Sequence, residues 1–340
     1  MSEPGGAAAP SKAPAIRKSL GRALVRLVGP LILAVLIWKT KDRGAILAAL
    51  ATASFGPIAA ATLLNFANIH LKVIRWQVLL RARGIHYGTR RAWSAFLTSV
   101  YVGMLTPGRV GDVLRIQYLR HDLGVSYAEG LASIVMDRLC DLYVLSVFVA
   151  FGVIRYSPVI AGSLAFLTWG CLAGIVLGPL LLLIPGVAEV LMTRVYRKLS
   201  GDARAEGLAR FLDAVRANVG RSLFLTLPLT AAAFLVNYVQ GYVIGHAMGI
   251  DLGFVDAMCL LAVASMLGLL PVSVSGLGVR ELIFALVFPF LGFTKSQGVS
   301  FGLLVFFVIY VVNIGAGFVF WQIAPPPSGS AAPPKDPAPG

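Results

Sequence analysis

The sequence predicts an all-α polytopic membrane protein, and three observations support this fold class. Hydrophobic residues make up 58% of the 340 residues and charged residues only 13%, which is too apolar for a domain whose surface faces water. Three apolar runs, 44–66, 162–184 and 298–320, have about the 20 residues that a spanning helix needs. The short alternating segments of a transmembrane barrel do not occur, so the spanning segments are expected to be helices.

The two ends of the chain are predicted to be disordered, with one membrane domain between them. Residues 1–22 and 323–340 are rich in Pro, Gly, Ala and Ser, and the first segment is also basic. The apolar run 27–38 follows the first tail without a small-residue cleavage site, so we expect an uncleaved first helix. The membrane domain is therefore expected to cover 23–322.

The membrane domain is predicted to contain two diverged copies of one unit. The segments "GIHYG" (84–88) and "GIDLG" (249–253) each precede an apolar run that ends at a proline. Their spacing of 165 positions also relates two further pairs of residues, which are Gly111 with Gly276 and Arg115 with Arg280. We therefore predict a first repeat at about 45–155 and a second at about 222–322, joined by a linker helix and an amphipathic segment at 159–221.

A proline interrupts each repeat, Pro107 in the first and Pro271 in the second. Proline and its neighbouring glycines end a helix and allow a tight reversal, so each repeat is predicted to contain a re-entrant broken-helix hairpin. If such a hairpin adds no crossing, helices 45–82, 129–154 and 159–184 make three crossings, and this odd number predicts an inverted repeat. About six to eight transmembrane helices are expected. The alternative is that the first break is a loop between two ordinary helices.

Basic residues predict how the chain lies in the membrane. They cluster before the first hairpin and between the repeats, and such clusters stay in the cytoplasm. We expect a multi-pass protein of the inner membrane with both termini cytoplasmic, although "KTKDR" (39–43) lies outside in this topology and breaks the pattern. The segment 205–222 is expected to lie on the inner leaflet, or to be a solvated linker helix. The net charge of +14 favours anionic lipid over nucleic acid as partner.

Three ionic residues, Arg109, Asp112 and Arg115, follow directly on the first proline break. Each would cost roughly 2.5 to 3.5 kcal/mol at the centre of a helix that faces lipid. They are therefore predicted to line a polar cavity and to bind substrate there. Backbone amides at the start of the return arm of the hairpin favour an anion.

A second ionic cluster lies inside the predicted helix 129–154 and consists of Asp137, Arg138 and Asp141. The two aspartates share one helix face at i and i+4, and Arg138 forms an i, i+3 pair with Asp141. These residues can neutralise one another or pair with the arginines of the hairpin, and we predict that they bind substrate. The alternative is a structural salt bridge at the membrane interface.

The second repeat carries fewer charges at its break. Only Arg280 and Glu281 lie there, at the head of the apolar run "LIFALVFPF". We predict that they also bind substrate, with Arg280 as a charge-assisted donor to phosphate.

Polar residues in the predicted helix 45–82 form a third group of candidates. Lys72, Arg75 and Trp76 have the composition of an interfacial anchor and are predicted headgroup or interface contacts. Asn65 is predicted to hydrogen-bond either to substrate or to a neighbouring helix.

The sequence carries no recognisable catalytic or cofactor motif. It has no phosphate-binding loop, its four histidines lie far apart without an HExxH pattern, and its three cysteines show no CxxC spacing. No cofactor, metal site or catalytic residue is predicted, and the protein is not expected to be an enzyme.

Four segments, in this order, resemble the lysylphosphatidylglycerol synthase transmembrane family, also called flippase-like domain proteins. They are "NFANIHLKVIRWQVLL", "YVGMLTPGRVGDVLR", "ASIVMDRLCDLYVL" and "LPVSVSGLGVRE". In founding members of that family this membrane region moves an aminoacylated phospholipid between leaflets and is joined to a soluble synthase domain. The resemblance implies translocation by a stand-alone member, because the 340 residues contain no such domain. The implied cargo is an anionic phospholipid or a polyprenyl-linked lipid, and a separate lipid-modifying enzyme is an implied partner.

The sequence as a whole therefore predicts a lipid flippase that moves an anionic or sugar-linked headgroup through a polar cavity. An intramembrane enzyme acting on a lipid phosphate is one alternative, because clustered Arg and Asp suit that chemistry as well. A membrane scaffold for a separate lipid-modifying synthase is another.

Overall fold

The computed structural model describes residues 34–35, 38, 43–106, 111–155, 169, 172–173, 177, 211, 213–215, 220–267 and 276–327. Regular structure within these residues is entirely helical, as predicted. The helices are α1 (Arg43–Ala51), α2 (Phe55–Arg81), α3 (Thr89–Leu105), α4 (Leu114–Leu123), α5 (Tyr127–Arg155), α6 (Arg221–Ala247), α7 (Phe254–Leu267), α8 (Val279–Val287) and α9 (Lys295–Ile323). A 3₁₀ turn follows α8 at Phe288–Leu291, and α9 contains a π-helical turn at Phe306–Val311.

Several predicted features lie outside the described residues. They are the tail 1–22, the proline breaks at Pro107 and Pro271, the candidate residue Arg109, and most of the first helix 27–38, of the linker 159–221 and of the tail 323–340.

The predicted repeat is confirmed by the starting positions of the helices. The first residues of α3 and α7, and likewise those of α4 and α8, are 165 positions apart. Helices α2 and α6 each have 27 residues, and α5 and α9 each have 29. Tyr127 and Lys295, which begin α5 and α9, are 168 positions apart. Helices α2 and α5 of the first repeat thus have counterparts of equal length in α6 and α9 of the second.

The packing of α2 against α6 shows that the repeats are inverted. The start of α2 meets the end of α6, where the Ser54 amide donates to the Ala247 carbonyl at 2.8 Å. Asn68 Nδ2 donates to the carbonyl of Ala233 at 2.5 Å, and these two residues are 165 positions apart. Because equivalent residues of α2 and α6 meet while the helices run antiparallel, the two repeats are related by a two-fold rotation.

Two further hydrogen bonds between α2 and α6 are copies of one another under this rotation. Arg75 donates from Nη1 to Thr230 Oγ1 at 3.0 Å, and Gln240 donates from Nε2 to Asn65 Oδ1 at 3.1 Å. A shift of 165 positions converts Arg75 into Gln240 and Asn65 into Thr230. The central helix pair is therefore held by the same pairing at both ends.

The first hairpin returns to the side from which it starts. Tyr87, just before α3, donates from its hydroxyl to Asp122 Oδ2 in the last turn of α4 at 2.8 Å. The two ends of the hairpin are therefore adjacent, as expected for a re-entrant element. Each hairpin also packs against the other repeat: α3 packs against α9, and its counterpart α7 packs against α5.

The outer surface of the described helices is that of a membrane protein. Helix α2, the segment Ser222–Ala247 and helix α9 are long and apolar enough to cross a membrane by length and composition. Large hydrophobic side chains such as Phe66, Phe224 and Phe307 are exposed on these helices. Exposure of such side chains is unfavourable in water but favourable in lipid.

The predicted single helix 45–82 is wrong, because the structure divides it into α1 and α2 at Thr52–Ser54. Pro57 explains the break, since it has no amide hydrogen for the carbonyl of Ala53 and its ring would clash with that carbonyl. The Ser54 amide instead bonds to α6. Helix α2 thus begins at the contact that fixes its position on α6.

Close packing of α9 on α3 predicts that Gly317→Ala destabilises the protein. A Cβ atom at Gly317 would lie 2.6 Å from the carbonyl oxygen of Leu97 and 2.7 Å from Cβ of Tyr101, so we expect a loss of about 1 to 3 kcal/mol. Gly315→Ala in the same helix is the control, because nothing lies within 4 Å of its Cβ position. Thermal unfolding in detergent measures both variants, and equal midpoints would contradict the packing described.

Candidate functional site

Six ionic side chains form a closed ring between α2, α5 and the first hairpin. Three are arginines and three are aspartates, so their formal charges cancel. Around the ring the order is Arg115, Asp137, Arg75, Asp141, Arg138, Asp112 and back to Arg115. Each arginine therefore lies between two aspartates.

The ring is tightest around Asp137 and Arg75. Asp137 accepts from Arg75 at 2.6 Å and from Arg115 at 3.0 Å, and Arg75 also contacts Asp141 at 2.5 Å. Arg138 completes the ring, at 3.2 Å from Asp141 and 2.5 Å from Asp112. The link from Asp112 to Arg115 is the longest at 3.9 Å.

Burial differs strongly around the ring. The side chains of Arg115 and Asp137 are fully buried, whereas Arg138 remains 30% exposed. Buried charges are tolerated when they are paired and hydrogen-bonded. The ring therefore has a buried side at Asp137 and an accessible side at Arg138.

Aromatic rings enclose the buried arginine of the hairpin. The Arg115 guanidinium lies 5.2 Å from the centroid of Trp76 and 5.0 Å from that of Phe96, within the range of a cation–π interaction. Trp76 and Arg75 are themselves buried. Their prediction as interface contacts is therefore wrong, because their face of α2 is covered by α5 and the first hairpin instead of by headgroups.

The second repeat places Arg280 in a similar aromatic setting. Its guanidinium lies 5.1 Å from the ring centroid of Phe306 and 4.8 Å from that of Tyr310. Arg280 pairs with the adjacent Glu281 at 2.8 Å, and both side chains are buried. Glu281 also accepts from the backbone amide of Gly278 at 2.6 Å, which holds the carboxylate at the start of α8.

The ionic ring itself has no copy in the second repeat. The two-fold counterparts of Asp137, Arg138 and Asp141, 168 positions later, are Val305, Phe306 and Ile309. The π-helical turn of α9 begins at this Phe306, and π-helical turns are frequent at functional sites. The repeats therefore share a fold, but one contributes charges and the other contributes aromatic and apolar surface.

Two small cavities lie between the accessible side of the ring and Arg280. The first, of about 60 Å³, is lined by Lys72, Arg138 and Asp141 together with residues of α3, α6 and α9. The second, of about 20 Å³, is lined by Arg280. Asn237, Ile309 and Tyr310 line both cavities. The cavities thus share a wall, and cations of both repeats lie along one polar region.

The structure brings together most of the residues predicted from the sequence. Asp112, Arg115, Asp137, Arg138 and Asp141 are in the ring, Arg280 and Lys72 line the cavities, and Glu281 pairs with Arg280. Asn65 donates to the carbonyl of Val308 at 2.7 Å and accepts from Gln240, so it connects helices. Arg109 lies outside the described residues.

Sequence reasoning missed the part played by Arg75 and Tyr310. Arg75 sits on an apolar helix near Trp76, a pattern that equally describes a membrane anchor, and no local signal tells the two apart. Tyr310 owes its place to the π-helical turn, for which the sequence shows no recognisable pattern.

Comparison with known proteins identifies the family. The model of the lysylphosphatidylglycerol synthase TM region matches residues 26–317, which includes every element of the site. The chain belongs to this family. The predicted resemblance is thereby confirmed, and the ring and the two cavities are features of a lysylphosphatidylglycerol synthase TM region.

Two curated relatives are similar to this member of the family. A UPF0104 membrane protein of Methanothermobacter thermautotrophicus is 22% identical over 257 residues, covering 69% of this chain and 76% of the relative. Glycosyltransferase AglD of Haloferax volcanii is 24% identical over 281 residues, covering 72% of this chain. The chain spans only 45% of the length of AglD, so the matched region is one part of that larger protein.

Proposed function

We propose that this protein is a lipid flippase that carries an anionic or sugar-linked headgroup across the inner membrane. One observation supports this above all: two adjoining cavities, one lined by Arg138 of the first repeat and the other by Arg280 of the second, lie inside an apolar, inverted-repeat helical protein. We take these cavities as the path of the headgroup. Inverted repeats with broken helices meeting near the midplane are the common design of proteins that expose one site to alternate sides.

The chemistry of the path suits a phosphate-bearing headgroup. Arg138 is held by two aspartates yet remains partly accessible, and guanidinium groups bind phosphate through paired charge-assisted hydrogen bonds. Asn68 and Asn237 line the same cavity with uncharged polar groups, which suit hydroxyl groups. The name of one relative, a glycosyltransferase, supports a sugar-linked lipid as one candidate cargo.

Passage of a headgroup requires movement of the hairpins. The larger cavity, about 60 Å³, has room for a few water molecules but not for a lipid headgroup. The hairpin helices α3 and α7 each pack on the last helix of the other repeat. Movement of the first hairpin away from α9 would open the path to one leaflet. Because the repeats are related by a two-fold rotation, the equivalent movement of the second hairpin away from α5 would open the path to the other leaflet.

We place the basic segments and both termini on the cytoplasmic side, following the positive-inside rule. In this orientation the two ends of the first hairpin, joined by the hydrogen bond from Tyr87 to Asp122, lie on the cytoplasmic side. Labelling of single cysteines introduced at Arg81 and at Asp251 tests this arrangement, because only the first should react with a reagent confined to the cytoplasm.

The two rival functions are separated by direct measurements. An intramembrane enzyme would convert a lipid phosphate into a new product, so mass spectrometry of lipids incubated with purified protein would reveal an altered mass. A scaffold for a separate synthase would show no activity when reconstituted alone. We expect headgroup translocation by the isolated protein and no chemical change in the lipid.

The shared wall of the two cavities predicts the effect of Asn237→Leu. Leucine has the same branched arrangement of four side-chain heavy atoms as asparagine but offers no hydrogen bond, so we expect headgroup translocation in proteoliposomes to fall about tenfold, the equivalent of one lost hydrogen bond. Asn237→Ser keeps a polar group and is expected to retain most of the rate. Equal rates in both variants would contradict a polar path through this position.

A further inference from the structure

A second, larger pocket lies at the ends of the first hairpin, away from the ionic ring. It has a volume of about 470 Å³ and is open to the surface, and ligand pockets generally measure about 300 to 1,000 Å³. Its lining comes from the start of α3, the end of α4 and the chain that follows α9. None of its lining residues borders the cavities of the ring.

The pocket has a surplus of positive charge. Arg90 and Arg91 line it from α3 and His121 from α4, while Asp122 is its only acidic lining residue. Both oxygens of Asp122 are already engaged, since Tyr87 donates to one at 2.8 Å and His121 lies 2.9 Å from the other. Arg91 reaches Asp122 only at 3.9 Å and is 67% exposed.

The start of α3 adds to this positive potential. Its first turn contains no acidic residue, and its N-cap Gly88 provides no side-chain hydrogen bond. The positive end of the helix dipole therefore lies beside Arg90 and Arg91, an arrangement that repels cations and favours an anion.

Tyr87 helps to fix the shape of the pocket. Burial raises the pKa of the Tyr87 hydroxyl, and its hydrogen bond to Asp122 raises it further. The hydroxyl therefore keeps its proton and continues to hold Asp122. On the opposite wall, Tyr118 donates to the carbonyl of Ala324 at 2.5 Å, which holds the chain after α9 against the hairpin.

The other end of the molecule shows that the fold does not require this pocket to be basic. The two-fold counterparts of Arg90 and Arg91 are Val255 and Asp256. Asp256 accepts from Arg155 of α5 at 3.1 Å, so an ion pair closes the junction there. The cations at the start of α3 therefore belong to one face of the protein only.

We propose that the pocket lined by Arg90, Arg91 and His121 binds a phosphate-bearing anion, the chemistry shared by a phospholipid headgroup and free phosphate. Both arginines can donate to phosphate oxygens, and Trp93 lies one turn into α3, where tryptophan marks the level of headgroups. The site is separate from the translocation path and would exist whether or not the protein moves lipid.

Binding to the full-length protein in detergent tests this proposal, with hydrogen exchange to locate the bound anion. The probes are dihexanoylphosphatidylglycerol, inorganic phosphate and the zwitterionic dihexanoylphosphatidylcholine. We expect dihexanoylphosphatidylglycerol, inorganic phosphate or both to protect the segments 85–94 and 116–123 from exchange, and dihexanoylphosphatidylcholine to bind more weakly. Protection by phosphatidylglycerol alone identifies a lipid headgroup as the ligand, whereas equal protection by inorganic phosphate identifies free phosphate.

The variant R90Q/R91Q is expected to weaken binding at these segments by about tenfold or more, as two charged donors are lost. R81Q/R120Q is the control, because it removes two exposed arginines on the same side that do not line the pocket. Failure of both anions to protect these segments, or an equal loss of binding in the two variants, would overturn the proposal. Protection of 134–142 instead would assign the anion to the ring and leave the flippase proposal intact.

Discussion

Asp137→Asn is expected to cause the largest loss of stability of any substitution in the ionic ring. Asp137 is fully buried and pairs with both Arg75 and Arg115, so the variant leaves two buried guanidinium groups without this carboxylate. Removing one partner of a buried ion pair typically costs about 3 to 5 kcal/mol. Thermal unfolding in detergent, with the yield of folded protein after purification, measures the loss.

Two further variants show whether the cause is the unpaired charge. Asp251→Asn changes an exposed acid in the same way and is expected to alter stability by less than about 0.5 kcal/mol. The double variant D137N/R115Q restores the charge balance, so part of the loss should be recovered in a double-mutant cycle. If Asp137→Asn alone does not fold, recovery of folded protein in the double variant gives the answer. Equal stability of Asp137→Asn and Asp251→Asn would contradict the pairing described.

Arg138→Gln is expected to have the largest effect on translocation while the protein still folds. Its partners Asp112 and Asp141 also have Arg115 and Arg75 as neighbours, so neither carboxylate becomes isolated. The variant does remove the most accessible guanidinium of the ring. Hydrogen bonds to charged groups contribute about 1.5 to 3 kcal/mol, so we expect a rate about tenfold to a hundredfold lower.

The measurement is the accessibility of a labelled lipid headgroup at the outer surface of proteoliposomes. Lys295→Gln serves as the control because it removes an exposed cation away from the cavities. The control should move lipid at the rate of the unmodified protein. Both variants should have a thermal unfolding midpoint near that of the unmodified protein. A rate for Arg138→Gln equal to that of Lys295→Gln would rule out a direct role of Arg138.

The inverted repeat was within reach of the sequence because its signals are local. Apolar length, proline breaks and the recurrence of "GIHYG" as "GIDLG" all survive in the primary structure. The helix starts at Thr89 and Phe254 agree with the spacing predicted from those segments. The break before α2 was missed, because Pro57 stands in a run apolar enough to look like one continuous span.

The sequence predicted most of the residues of the candidate site, but not which of them contact one another. Asp137 and Asp141 were identified because ionic residues inside an apolar helix are expensive unless they are paired. Arg75 was assigned to the interface, since the composition around it does not reveal which side of α2 is covered. The pocket at Arg90 and Arg91 combines three chain segments, and no single segment indicates it.

The sequence by itself determined that this protein is an all-α membrane protein built from two repeats, and which ionic residues cannot face lipid. Those properties follow from the transfer of side chains and backbone into lipid, which depends on each segment alone. Only the tertiary structure decided that Arg75 closes the ring with Asp137 and Asp141, and that the cavities at Arg138 and Arg280 share a wall. Such pairings depend on how packed helices are rotated and crossed, and that rotation is set by contacts between residues far apart in the chain.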